Sequence, residues 1–297
     1  MPATTEALML PGFDLLMPET LPEALDLLAE SAREVTPVSG GTNLIVDMRS
    51  GRRRPGTLMN IAGIKELGGI RREDGHLAIG GGVTIADLLD EPLVAQHASI
   101  LKEAASVFGS PLVRNRATVG GNLADASPAA DLAPPFLALD AEVELASAEG
   151  QRRVPLEEFM VGVRETLLQP QELLVAVRCP VPPPHSAGAF CKLGLRKADA
   201  ISVVSVAVML EGDGDGRFRQ ARIAMGAVAP RPIRAHAAED LLRGRPFDPA
   251  TIAEAARLAS EPASPIDDIR GSAAYRRRMI GVLVRRLLTA AAAGARN

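Results

Sequence analysis

The sequence predicts an α+β chain: a larger first part organised around two glycine-rich loops, then a second part of antiparallel sheet and helices. Three observations carry this. Strand and helix patterns flank paired glycines at Gly40-Gly41 and again at Gly120-Gly121. A proline tract, Pro180-Val181-Pro182-Pro183-Pro184, divides the chain. Beyond it, apolar strand patterns come first and helical periodicity follows.

In chain order, residues 18–30 carry Ala24, Leu25 and Leu28 at helical spacing, with Pro22 suited to a first turn. Residues 36–39 read as a strand entering the loop Pro37-Val38-Ser39-Gly40-Gly41-Thr42-Asn43-Leu44. With a strand over 57–61, these elements make a small α/β layer ending near Asn60. Residues 76–79 form a short strand before Gly80-Gly81-Gly82. Thr84 and Asp87 then begin a helix as a capping box. The triple glycine departs from Gly-x-Gly-x-x-Gly, because Ile85 stands where the third glycine belongs, and it reads as a strand-to-helix turn. A helix covers 100–108, and a short one covers 132–139. Residues 141–146 and 151–154 make a hairpin. Pro155 opens a short helix, and 173–177 is a strand.

Proline stiffens the tract at 180–184 and denies it sheet bonds. Strands follow at 189–195, 201–211 and 222–228. The stretch 201–210 is apolar almost throughout, so both its faces should be covered. Helices follow around 235–242, 249–259 and 272–292. The last carries Arg276, Arg277, Arg278, Arg285 and Arg286 beside Ile280, Leu283, Val284, Leu287 and Leu288, and reads as a surface helix with a solvated basic face. A docking face for a partner is the second reading. The expected division is 1–178, in parts of about 1–60 and 61–178, then a linker at 179–185, then 186–297.

Composition excludes several classes. The chain has 297 residues, 47% of them apolar, enough for two or three cores. A net charge of -3 argues against nucleic-acid binding. No apolar run approaches the ~20 residues of a membrane span, and no basic-then-apolar leader opens the sequence; cytoplasm is the expected location. The four histidines, His76, His97, His185 and His236, are scattered away from metal-ligand spacing. Cys179 and Cys191 are too few for an iron–sulfur or zinc site in this chain.

The chemistry therefore points to the two loops. Paired glycines let backbone approach a ligand, and their N–H groups suit a diphosphate. Thr118, Asn122 and Ser127 offer short donors and acceptors, and the Asp131 carboxylate suits ribose hydroxyls. Neither loop has Lys or Arg between its first glycine and its Asn. A tight turn between core elements is the plain alternative for either loop alone; two such loops suggest a long ligand with a central diphosphate.

These residues resemble the flavin-binding subunit of the molybdenum hydroxylases, the group of the aerobic carbon monoxide dehydrogenase medium subunit and the xanthine dehydrogenase flavin domain. That family's first flavin loop has an Ala-Gly-Gly-Thr-like core, matched by Ser39-Gly40-Gly41-Thr42. Its second, Thr-Ile-Gly-Gly-Asn then Ala-Ser-Pro-Ala-Ala-Asp-Leu, is matched by Thr118-Val119-Gly120-Gly121-Asn122 and Ala126-Ser127-Pro128-Ala129-Ala130-Asp131-Leu132. The resemblance extends to Asp268-Ile269-Arg270-Gly271-Ser272-Ala273-Ala274-Tyr275-Arg276.

The resemblance implies a flavin fold of the vanillyl-alcohol-oxidase/para-cresol-methylhydroxylase type, a small α/β layer plus a mixed sheet. It implies FAD held without a covalent bond, since neither loop contains His or Cys. It brings Phe108 and Leu174 to the flavin, although core packing accounts for either as well. It sets Lys192 beside the flavin ring, with Arg196 and Lys197 as nearby rivals and a solvated edge-strand lysine as the plain reading. It implies a heterotrimer, or its dimer, with a large molybdopterin subunit and a small iron–sulfur subunit. Electrons would pass through this chain to NAD, a quinone or oxygen. A non-catalytic scaffold and a stand-alone flavin oxidase are the alternatives. The 4-hydroxybenzoyl-CoA reductase branch, with its extra cysteine-bound cluster, does not match.

Overall fold

The structure, a computed structural model, describes residues 10–31 and 34–295. The first layer holds β1 (Asp14–Leu16), α1 (Leu21–Ser31), β2 (Val35–Val38), α2 (Leu44–Arg49) and β3 (Thr57–Asn60). Its sheet is ordered β1-β3-β2 and is parallel. Helix α1 buries Ala24, Leu25 and Leu28, the stripe its spacing predicts. The apolar run after the first glycine loop becomes α2.

The second layer begins with β4 (Ile70–Glu73) and β5 (His76–Gly80). Helices α3 (Ile85–Asp90), α4 (Pro92–His97), α5 (Ser99–Ser106), α6 (Pro111–Arg114), α7 (Val119–Ala124) and α8 (Ala133–Ala138) follow. The chain then returns through β6 (Glu142–Ser147), β7 (Gly150–Pro155), α9 (Leu156–Phe159), the small hairpin β8 (Met160–Gly162) and β9 (Glu165–Thr166), and β10 (Leu173–Pro180). Thr84 and Asp87 form the expected capping box at α3. The main sheet is ordered β4-β5-β10-β6-β7, and each of its pairings is antiparallel. This corrects the mixed sheet expected within the fold: parallel pairing is confined to the first layer, where helices supply the crossovers. Pro180 ends β10 in register with His76, so sheet pairing runs one residue into the proline tract.

The last layer is the sheet β11 (Ser186–Gly194), β12 (Ser202–Gly212), β13 (Phe218–Gly226) and β14 (Ile233–Arg234), covered by α10 (His236–Leu242), α11 (Pro249–Leu258) and α12 (Ala273–Ala295). Strand β12 is buried along its whole length, as its composition predicts. Alternation divides it between two cores. Ala207 and Met209 join the cluster built by α3 to α8, while Val204, Val206, Val208 and Leu210 join the one under α12. On α12, Arg277, Arg278, Arg285 and Arg286 are exposed as expected, whereas Arg276 is 2% exposed.

A charged seam ties the second layer to the last, away from the glycine loops. Asp140 accepts from Arg222 and Arg234, and Arg234 also donates to Glu239 on α10. His236 sets Nε2 2.7 Å from Glu157 and Nδ1 3.1 Å from Glu239. Burial and the Arg234 charge oppose a charged ring, but the two carboxylates outweigh them and raise its pKa. A raised histidine pKa gives stability that is present below the unfolded value of about 6.5 and lost as pH rises through the folded value. The melting-temperature gap between parent and His236→Gln should therefore narrow as pH rises from about 6.5. A gap constant from pH 6 to 9 would exclude this titration.

Candidate functional site

A cleft of about 1050 Å³ runs between the first glycine loop, the second glycine loop and the inner end of the last layer. The first loop leaves the end of β2, where the Ile61 N–H holds the Val38 carbonyl. Gly41 has φ +70, the left-handed region that favours glycine, and its carbonyl receives the Ile45 N–H to begin α2. Gly40 lies against the Arg116 backbone so closely that a Cβ would overlap that carbonyl oxygen. The backbone N–H groups of residues 39–43 have no partner among the described residues. A run of unspent donors beside a cleft suits an anion.

The second loop is built differently. The Val119 N–H binds the Val83 carbonyl, Gly120 N–H binds Gly81 at 2.8 Å, and Gly81 N–H binds Val175 at 2.8 Å. A Cβ on Gly120 would lie 2.8 Å from the Gly81 oxygen, and one on Gly81 would overlap the Leu174 carbonyl. Gly120 thus lets the second loop close onto the Gly81 backbone, and it also lines the cleft. The Gly121 N–H goes to Thr118 Oγ1 at 3.2 Å, Leu132 N–H to Asn122 Oδ1 at 3.3 Å, and Ala129 N–H to Ser127 Oγ at 3.3 Å. Asn122 and Ser127 therefore shape their own loop through these bonds.

Arg164 joins the two loops. Its backbone N–H binds Ala126 in the second loop, and its guanidinium binds Asp47 on α2. Arg52 also meets Asp47, at 2.7 Å. Burial alone would raise the Asp47 pKa, but these two guanidinium groups hold it below the ordinary carboxylate range. Asn43 adds a second tie, donating to Asp125 at 2.8 Å.

Asp131 is 8% exposed and joins the last layer. Its Oδ2 receives Lys192 Nζ at 2.6 Å, and its Oδ1 receives the Ser202 hydroxyl at 2.8 Å. Lys192 also donates to the Val107 carbonyl at 3.3 Å. Burial pushes the Asp131 pKa up, against the pull of Lys192 and Ser202. Each oxygen thus has one protein donor and keeps acceptor capacity for another. Asp131 does not cap α8, whose Ncap is Leu132.

Pro37, Val38, Ser39, Gly40, Gly41, Thr42, Asn43 and Leu44 all line the cleft, as do Phe108, Thr118, Gly120, Gly121, Asn122, Ser127, Asp131 and Leu174. Val119 does not; it is fully buried. Lys192 lines a separate groove of about 340 Å³ with Val107 and residues 193–197. Arg196 lies past the end of β11 and is bound to the Asp199 carbonyl, so strand alternation does not extend to it. Sequence reasoning missed Gly81, Arg164 and the Asp268, Arg270 and Arg276 group, all on the cleft wall. The triple glycine was the one available signal for Gly81; no spacing pointed to Arg164. No His or Cys lines the cleft among the described residues.

Residues 11–182 match the FAD binding domain in molybdopterin dehydrogenase, and residues 189–291 match the CO dehydrogenase flavoprotein C-terminal domain. The chain belongs to this family of FAD-binding subunits of molybdenum hydroxylase complexes. It is 34% identical over 290 residues to the carbon monoxide dehydrogenase medium chain of Afipia carboxidovorans, covering 97% of this chain and 100% of that one. It is also 34% identical over 281 residues to the 6-hydroxypseudooxynicotine dehydrogenase complex subunit alpha of Paenarthrobacter nicotinovorans, covering 95% of each. The solved carbon monoxide dehydrogenase of Hydrogenophaga pseudoflava superposes with a TM-score of 0.93 at 34% identity, over 96% of this chain and 99% of that one. The chain is thus an FAD-binding subunit of an oxidoreductase complex, and neither a scaffold nor a stand-alone oxidase is favoured. No described helix is long and apolar enough to cross a membrane.

Proposed function

We propose that this chain is the cytoplasmic electron-transfer subunit of a heterotrimer with a large molybdopterin subunit and a small iron–sulfur subunit. It receives electrons from the small subunit's clusters and delivers them to NAD, a quinone or oxygen. When bound, FAD supplies both one- and two-electron chemistry. The carrying observation is the run of free N–H groups at residues 39–43 on a cleft long enough to be shared with the second loop. In this reading the first loop meets the diphosphate with Ser39 and Thr42 beside it. Thr118, Gly120, Gly121 and Asn122 form the facing wall, held in shape by Val119 behind them. Phe108 and Leu174 supply apolar surface, Ser127 and Asp131 close the cleft toward the last layer, and Lys192 holds Asp131 from that layer. Attachment is non-covalent, in keeping with a cleft lined by neither His nor Cys among the described residues.

The purified chain should be yellow, and acid precipitation should leave its FAD in the supernatant. Colour retained in the pellet would refute non-covalent attachment. A colourless chain that takes up no added FAD would refute the site. Co-purification of two further subunits carrying molybdopterin and iron–sulfur clusters tests the heterotrimer.

A further inference from the structure

The Arg276 side chain belongs to the Asp268-to-Arg276 motif and is almost entirely buried, with its Nε lacking a hydrogen-bond partner. One of its nitrogens, Nη1, donates to two carbonyls, Val203 and Ala227, each at 3.0 Å. The other, Nη2, meets Asp268 at 2.6 Å. Both carbonyls lie directly behind contacts to the second glycine loop. Ser202, next to Val203, donates to Asp131 at 2.8 Å. The Ala227 N–H donates to the Pro128 carbonyl at 2.7 Å. Ala227 also has φ +62, a conformation that costs a residue with a Cβ and must be held by its surroundings.

On the reading that the cleft holds FAD, we infer that Arg276 is a positioning residue for the flavin site. From the last layer it fixes both points, Pro128 and Asp131, at which that layer grips the second loop. Lysine has no planar fork and does not reproduce two carbonyl bonds and an ion pair together. The positions of residues 127–131 against the flavin then depend on a side chain at the start of α12.

The test uses the full chain with FAD and reads the dissociation constant, the visible circular dichroism of the bound flavin and the melting temperature of the FAD-free protein. Arg276→Gln should remain folded, weaken FAD binding about tenfold and alter the flavin dichroism. Arg276→Lys should recover part of the loss, and the exposed neighbour changed as Arg278→Gln should match parent. Ser202→Ala, which cuts one arm without touching Arg276, should change the dichroism in the same direction. A purely structural arginine would lower the melting temperature while the bound flavin kept its parent spectrum, and that result overturns the inference. If Arg276→Gln fails to fold, parent-like dichroism in Ser202→Ala overturns it equally. A parent chain that binds no FAD removes the cofactor reading itself, a failure visible before any variant is made.

Discussion

Gly40→Ala should leave a folded chain that no longer retains FAD. The added methyl would overlap the Arg116 carbonyl oxygen, which belongs to backbone and has little freedom to retreat. The loop must therefore move, and its free N–H groups at residues 39–43 move with it. Overpacking typically costs about 1–3 kcal/mol, occasionally more, so affinity should fall by roughly five- to a hundredfold or more. Gly63→Ala is the control, because a Cβ there meets open space. Measured by flavin fluorescence quenching, equal affinity in Gly40→Ala and Gly63→Ala would show that the first loop does not hold the cofactor.

Asp131→Ala should have the largest effect on stability. It strands Lys192, whose side chain is 5% exposed, without its carboxylate, and removes the acceptor of the Ser202 hydroxyl. Breaking a buried pair from one side costs about 3–5 kcal/mol, a fall in melting temperature on the order of 10 °C. Removing both charges, as Asp131→Ala with Lys192→Met, should return part of that loss, because no lone charge remains buried. A melting temperature unchanged in Asp131→Ala would mean that the pair is solvated in solution. The pairing also changes the expectation for Lys192 alone. With the flavin bound as proposed, the ammonium beside Asp131 would act on the ring as half of a dipole, so Lys192→Met should move the flavin potential less than loss of an isolated cation would.

Much of this was legible because it was local. The α1 stripe, the capping box at Thr84 and the apolar run that became β12 are written in residues close together in sequence. The cleft-lining loops were found because glycine, threonine and asparagine cluster within each. What escaped was the pairing of distant groups. Nothing in the neighbourhood of Asp131 advertises Lys192 or Ser202, its partners beyond the proline tract. Arg276 looked solvated because it stands in a row of arginines; only the strand carbonyls it reaches distinguish it from Arg277 and Arg278. The packing of Gly120 on Gly81 is another such pairing, between residues far apart in sequence.

Strand β12 bears on how the chain can be taken apart. It lends Ala207 and Met209 to one core and Val206 and Val208 to the other, so neither core closes without it. The first sequence match ends within the proline tract at 180–184 and the second begins beyond it, yet the cores on either side share this strand. Scission there leaves each fragment with an apolar wall facing water, and the halves are inheritable as one piece only. A fusion, tag or engineered joint belongs at an exposed loop such as residues 213–216, outside both cores, where the chain can be interrupted without dividing them.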